Sequence, residues 1–151
     1  MKRVGDLMTR DIFPLKSYQT LNVVRLLMRT VSIRHVPILD RQEKFVGLLS
    51  HRDLLTYSIS KLADINSLAQ KELDRHISIK DVMQTEIATT TENTSLIEAI
   101  TLMMKNKFGC LPVVDKKKYL VGIITEEDIS RLAIRLLKRE DERRKPATIK
   151  S

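Results

Sequence analysis

Two motifs in a chain of 151 residues, Ser50-His51-Arg52-Asp53 and Thr125-Glu126-Glu127-Asp128, each set a hydroxyl side chain three positions before an aspartate. Each motif follows a short apolar run and opens an amphipathic stretch, so each falls where a strand hands over to a helix. A helix start presents backbone N–H groups and a partial positive potential, which suits a phosphate. A carboxylate one turn in can accept hydrogen bonds from both hydroxyls of a ribose. The same spacing is also a capping pattern that stabilises a helix with or without a ligand.

The two motifs differ in charge. His51 and Arg52 surround the first helix start with positive charge, whereas Glu126 and Glu127 surround the second with negative charge, so polyphosphate is expected to prefer the first. Lys105 and Lys107 are candidates to reach across to the second. The remaining reactive side chains point away from catalysis. His35, His51, His76 and the single Cys110 show neither metal-ligand spacing nor a nucleophile motif, and no metal site is expected.

Composition narrows the setting. A 42% hydrophobic and 30% charged chain without Trp must build its interior from Val, Ile, Leu and Met. One cysteine cannot close an intramolecular disulfide. Lys2, Arg3 and Asp6 occupy the N-terminal stretch where a signal peptide needs apolar residues, so a reducing cytoplasm is expected. Charges such as Arg25, Arg29, Lys105 and Arg131 interrupt every apolar stretch, and no membrane insertion is expected. The net charge of +8 draws largely on Arg131, Arg135, Lys138, Arg139, Arg143, Arg144 and Lys145. Such a basic face raises nucleic-acid binding as a rival function. Glu140-Asp141-Glu142 interrupts it, however, and no aromatic stacking platform accompanies it.

The elements that must position these motifs come in two copies. A shift of 75 residues aligns Val4–Leu54 with the second half without a gap, and eleven positions coincide, among them Asp6/Asp81, Met8/Met83, Pro37/Pro112, Gly47/Gly122 and Asp53/Asp128. Duplication implies pseudo-twofold symmetry, with each copy covering an apolar face that the other cannot bury alone. Leu96, Ala99, Ile100, Met103 and Met104 recur at helical spacing and predict a helix over Ser95–Lys107, with Ser95 and Glu98 as its capping box. Its counterpart starts near Thr20, with Leu21, Val24, Leu27 and Met28 facing inward. Apolar runs at His35–Leu39, Lys44–Leu49, Cys110–Val114 and Tyr119–Ile124 predict strands. Gly47 and Gly122 inside them mark a bulge or a close approach.

Final helices follow, carrying Leu54, Leu55, Ile59 and Leu62 in one copy and Ile129, Leu132, Ala133 and Leu136 in the other. A connecting helix is expected between Asp64 and Arg75, from Ile65, Leu68, Ala69 and Leu73. Each copy thus reads as a short strand, a helix, two strands and a helix. Helical order is expected to stop near Glu140, before Pro146. The chain divides into a first repeat over 1–62, a helical linker over 63–77, a second repeat over 78–139 and a charged tail over 140–151.

Val36-Pro37-Ile38-Leu39-Asp40, Val46-Gly47-Leu48-Leu49-Ser50 and Asp53-Leu54 resemble the strand, strand and helix-start signature of the cystathionine-beta-synthase-type (CBS) repeat. Leu111-Pro112-Val113-Val114-Asp115, Val121-Gly122-Ile123-Ile124-Thr125 and Asp128-Ile129 repeat it in order. Asp6-Leu7-Met8-Thr9 and Asp81-Val82-Met83 match the family's openings. The connecting stretch ending in Glu72-Leu73, with Ile77 after it, is similar to stand-alone pairs of the acetoin-utilisation type.

The resemblance implies an α/β (α+β) fold of two pseudo-twofold-related repeats, each a small sheet flanked by helices, which often pairs with a second copy as a homodimer. It implies a regulatory role without catalysis or a required cofactor. Its clefts would receive an adenosine-containing ligand, AMP, ADP, ATP or S-adenosylmethionine, and report to a client that the sequence does not name. By resemblance Asp53 and Asp128 clamp the ribose, with Ser50 and Thr125 beside them. The base lies in an apolar slot formed by Ile12, Val36 and Pro37, or by Ile87, Leu111 and Pro112, between an opening strand and the strand bearing the proline. A ligand-free dimerisation scaffold is the other non-enzymatic possibility, with Ile134 and Leu137 available to a partner surface.

Overall fold

The computed structural model describes residues 2–58 and 67–146. Its first half runs α1 (Val4–Leu7), β1 (Leu15–Lys16), α2 (Leu21–Val31), β2 (His35–Leu39), β3 (Phe45–Ser50) and α3 (His51–Thr56). The connector α4 (Ser67–Arg75) and a single 3₁₀ turn (Ile79–Asp81) lead to α5 (Leu96–Asn106), β4 (Cys110–Val114), β5 (Leu120–Thr125) and α6 (Glu126–Arg144). This is the mixed architecture expected, with small sheets flanked by helices. Ile59, Leu62 and Ile65 lie outside the described residues.

The repeat is visible in the hydrogen-bond register. β2 and β3 pair antiparallel from His35↔Ser50 to Leu39↔Phe45, and β4 and β5 pair antiparallel from Cys110↔Thr125 to Val114↔Leu120. Each ladder slips at the same point, between Ile38 and Leu39 and between Val113 and Val114. β1 adds a parallel edge through Leu15↔Ile38. The second copy holds the equivalent contact only as the bridge Thr90↔Val113. Its opening strand is therefore a single residue, and Ile12 and Ile87 sit in irregular chain rather than in a strand.

Two apolar cores form, and each recruits the other repeat. Leu21, Val24, Met28, Val36, Ile38, Leu49 and Leu54 of the first repeat gather around Ile79, whereas Leu96, Ala99, Met103, Leu111, Val113 and Ile124 of the second gather around Val4 and Met8. Val4 and Ile79 have no exposure, and burying such a side chain stabilises by about 1.5–3 kcal/mol. The opening segments thus cross over. Thr9 exchanges two backbone bonds with Ile123, at 2.8 and 2.9 Å, and Gln84 exchanges two with Leu48, both at 2.9 Å.

Gly47 and Gly122 are the contact points for this exchange. A methyl group built on Gly47 would lie 2.7 Å from Met83 Sδ and 2.9 Å from the Gln84 carbonyl; on Gly122 it would lie 2.9 Å from both Met8 Sδ and the Thr9 carbonyl. Neither glycine has positive φ, so close approach rather than backbone freedom requires it.

Several local expectations are corrected. Ser95 starts α5, but its hydroxyl makes no cap bond. The crossing N-terminal segment satisfies one donor of this helix start, the Leu96 N–H, which donates to the Lys2 carbonyl at 2.9 Å. In α6 only Ile129 and Leu132 pack on the core; Ala133 is exposed and Leu136 is 54% exposed. The helix also continues through Glu140 to Arg144, aided by Arg144 Nη2 donating to Glu140 Oε1 at 2.5 Å one turn back. In α4 the apolar pattern does not mark the packed face, since Leu68 is 70% exposed and the buried residue is Asp74, at 1%.

Candidate functional site

Both motifs form complete capping boxes. Asp53 N–H donates to Ser50 Oγ at 3.1 Å, and Ser50 N–H donates to Asp53 Oδ2 at 2.8 Å. Asp128 N–H donates to Thr125 Oγ1 at 3.3 Å, and Thr125 N–H donates to Asp128 Oδ2 at 2.9 Å. The helix starts are tied further into the sheets: His51 N–H donates to the Arg34 carbonyl at 2.8 Å and Glu126 N–H to the Gly109 carbonyl at 3.1 Å. These bonds occupy two of the backbone donors at each helix start, those of His51 and Asp53 and those of Glu126 and Asp128.

The second oxygen of each aspartate is claimed across the repeat. Gln84 Nε2 donates to Asp53 Oδ1, and Thr9 Oγ1 donates to Asp128 Oδ1, at 2.8 and 2.9 Å. Gln84 and Thr9 are equivalent positions of the duplication, so each carboxylate sits at a seam where a helix start of one repeat meets the crossing segment of the other. The seams are not equally open. Asp128 is 7% exposed and takes a further bond, at 3.1 Å, from Thr125 Oγ1, whereas Asp53 is half-buried beside an exposed Gln84.

Two open cavities flank the boxes. One, of ≈ 490 Å³, is lined by Leu7, Asp128, Arg131, Ile134 and Arg135. The other, of ≈ 660 Å³, has His51, Arg25, Arg29 and Arg34 on its wall over an apolar floor that includes Met28 and Leu54. His51 and Arg52 are exposed, as are Glu126, Glu127, Lys105 and Lys107. These flanking arginines were not among the expected residues. Arg131 and Arg135 follow Asp128 at helical spacing and Arg34 directly precedes the β2 strand, so both signals were present in the sequence.

The expected base slot is divided by strand alternation. Val36 and Leu111 have no exposure and belong to the two cores, so they do not border a cleft. Pro37 and Pro112, also buried, point to the opposite face of their sheets. Ile12 and Ile87 are half-buried, each three residues beyond the crossing donor, Thr9 or Gln84.

His35, the first residue of β2, approaches Gly109, which directly precedes β4: a methyl built on Gly109 would lie 2.7 Å from His35 Nε2. Burial pushes the His35 pKa down, opposed by the charges of Glu126 and Asp53. Burial, then Glu126, pushes the Cys110 thiol up to about 12, which leaves it unreactive as a nucleophile. Among the described residues no group of His, Cys, Asp and Glu is arranged to hold a metal, and no helix is long and apolar enough to cross a membrane.

Comparison with known proteins agrees with this duplicated architecture. The chain is 31% identical over 129 residues to an inosine-5'-monophosphate dehydrogenase of Thermoplasma acidophilum, a match covering 85% of this chain but 23% of that enzyme. Its fold matches the crystal structure of a putative acetoin utilization protein from Vibrio cholerae at 38% identity and TM-score 0.76, over 97% of this chain and 99% of the other. CBSX2, solved in complex with AMP, matches at 26% identity and TM-score 0.74, over 90% and 98% of the two chains. The CBS domain pair of protein MJ0100, in complex with 5-methylthioadenosine and S-adenosyl-L-methionine, matches at 27% and 0.70, over 87% and 94%. The CBS domain family model matches twice, over residues 4–60 and 79–135, and with these two matches the chain belongs to the CBS-domain family as a tandem pair.

Proposed function

We propose that this chain is a non-catalytic regulatory module that captures an adenosine-containing ligand at the seams between its two repeats. AMP, ADP, ATP and S-adenosylmethionine are the candidates. Capture passes to a client protein as a change in how the repeats meet. The observation that carries the proposal is the twinned carboxylate, Asp53 and Asp128, each set at a seam between repeats. Relatives of the same fold solved with AMP and with S-adenosylmethionine support the ligand class.

In this proposal Asp53 and Asp128 grip the ribose hydroxyls, with Ser50 and Thr125 beside them. Ile87 borders the Asp53 seam and Ile12 the Asp128 seam, with Pro37 and Pro112 on the neighbouring sheet faces, and the base lies against these apolar groups. His51, Arg52 and Arg34 hold phosphate at the first seam. Glu126 and Glu127 disfavour it at the second, although Arg131 and Arg135 offset part of that charge. A buried, unpaired Cys110 suits a reducing cytoplasm. Titration calorimetry with AMP, ATP and S-adenosylmethionine tests the proposal. Asp53→Ala weakens binding about 30-fold through loss of a charge-assisted contact worth about 2 kcal/mol. Wild-type affinity in both Asp53→Ala and Asp128→Ala overturns the clamp.

A ligand-free dimerisation scaffold is the second reading. It is favoured by the bonds both carboxylates already make and by exposed apolar side chains on α5 and α6, Ile97 at 79%, Met104 at 76% and Leu137 at 61%. Homodimers in sedimentation together with no thermal shift from any adenosine ligand select the scaffold; a ligand-dependent rise in Tm selects the sensor.

A further inference from the structure

We infer that Gln84 is a displaceable latch on the first seam: a ribose entering there takes Asp53 Oδ1 from the Gln84 amide, and the ligand and the latch exclude one another. The inference rests on the nucleotide proposal above and concerns how that site is gated.

Asp53 is an acceptor with one oxygen already committed. Oδ2 holds the Ser50 N–H at 2.8 Å as part of the capping box, so the carboxylate is fixed in position whether or not a ligand is present. Oδ1 carries the Gln84 Nε2 bond at 2.8 Å. The amide must be the donor, since an ionised carboxylate only accepts. A vicinal diol brings two O–H donors, and Gln84 competes with them for the more available oxygen. Gln84 is exposed, so once displaced its amide is rehydrated and little is lost.

Its backbone stays put throughout. Gln84 N–H donates to the Leu48 carbonyl and the Gln84 carbonyl accepts from Leu48 N–H, both at 2.9 Å, so the exchange moves a side chain and not the crossing segment. The second seam resists such an exchange. Thr9 is shorter and half-buried, and Asp128 takes three bonds at 7% exposure, so a displaced Thr9 hydroxyl would lie in a site with little access to water. Linkage makes the latch reciprocal: whatever draws Gln84 away tightens the ligand, and the ligand releases Gln84.

The test is calorimetric titration of AMP and of adenosine into wild type, Gln84→Ala and Thr9→Val. Removing the competitor tightens both ligands about fivefold in Gln84→Ala and leaves Thr9→Val at the wild-type value. Equal gains for AMP and adenosine assign the competition to the sugar. In wild type, the Gln84 side-chain amide resonances, identified by their absence from the Gln84→Ala spectrum, shift as AMP is added. Unchanged or weaker binding by Gln84→Ala, or amide resonances that stay still while AMP binds, overturns the latch and leaves the nucleotide proposal standing. No binding by wild type or either variant overturns both.

Discussion

Arg25 Nε meets Asp74 Oδ2 at 2.5 Å and joins α2 to the connector α4, with Asp74 almost without exposure. Arg25 also donates from Nη1 to Ser58 Oγ at 3.3 Å and from Nη2 to the Leu54 carbonyl at 3.4 Å, and Gln70 Nε2 donates to Asp74 Oδ1 at 2.8 Å. One guanidinium therefore ties α2 to α3 and to the connector α4. Asp74→Ala leaves that charge partly buried and unpaired, and costs about 3 kcal/mol. Urea unfolding measures the loss; a change under 1 kcal/mol contradicts a clamp.

The two capping aspartates separate stability from binding. Asp53→Ala removes a cap worth about 1 kcal/mol, and Asp128→Ala costs about 2 kcal/mol because a buried carboxylate with three donors leaves more of them unpaired. Thermal unfolding of the two variants without ligand gives the order. A more damaging Asp53→Ala would contradict the difference in burial between the seams.

How far the sequence could be read follows from which interactions are local. The two helices α2 and α5, the four main strands and both capping boxes came from spacing within a few residues, where side-chain period and cap chemistry act directly. The crossing of Val4–Thr9 and Gln84 between repeats did not, because a 75-residue repeat fixes which positions are alike but not which copy each packs against. Gly47 and Gly122 hinted at a close approach without naming the approaching group. In α4 a charged residue took the buried face and the leucines faced out, so apolar period misidentified the contact. The capping role of both aspartates was legible; their partners Gln84 and Thr9 were not, since a contact between distant residues leaves no mark in local spacing.

Gly47→Ala tests the approach itself. The new methyl meets the Gln84 carbonyl, a backbone atom that cannot swing aside, and destabilises by about 1–3 kcal/mol. Faster amide exchange at Leu48 and Gln84 is expected with it; unchanged exchange would mean the seam has slack.

His35 sets an acid limit. Its folded pKa lies below the ordinary 6.5 because burial disfavours the imidazolium, so the unfolded chain takes up this proton first as pH falls. Stability is unaffected above that range and declines from about pH 6.5 downward. Tm followed from about pH 7 to pH 5 should fall less in His35→Gln than in wild type. Parallel profiles would remove His35 as the cause.

Cys110, buried and with its pKa raised to about 12, stays thiol at neutral pH. Ellman's reagent at about pH 8 should react with it only after denaturant is added. Rapid labelling of the folded protein would contradict its burial.

The crossing of the opening segments bears on how such a chain arises. A single unit of this kind, alone in solution, leaves the groove over its central glycine empty and its own arm without a socket; two separate units complete each other only by trading arms. The tandem chain is thus a domain-swapped pair written into one gene, in which covalent linkage replaces the entropic penalty of association with the smaller one of closing a loop. Neither half is a finished folding unit.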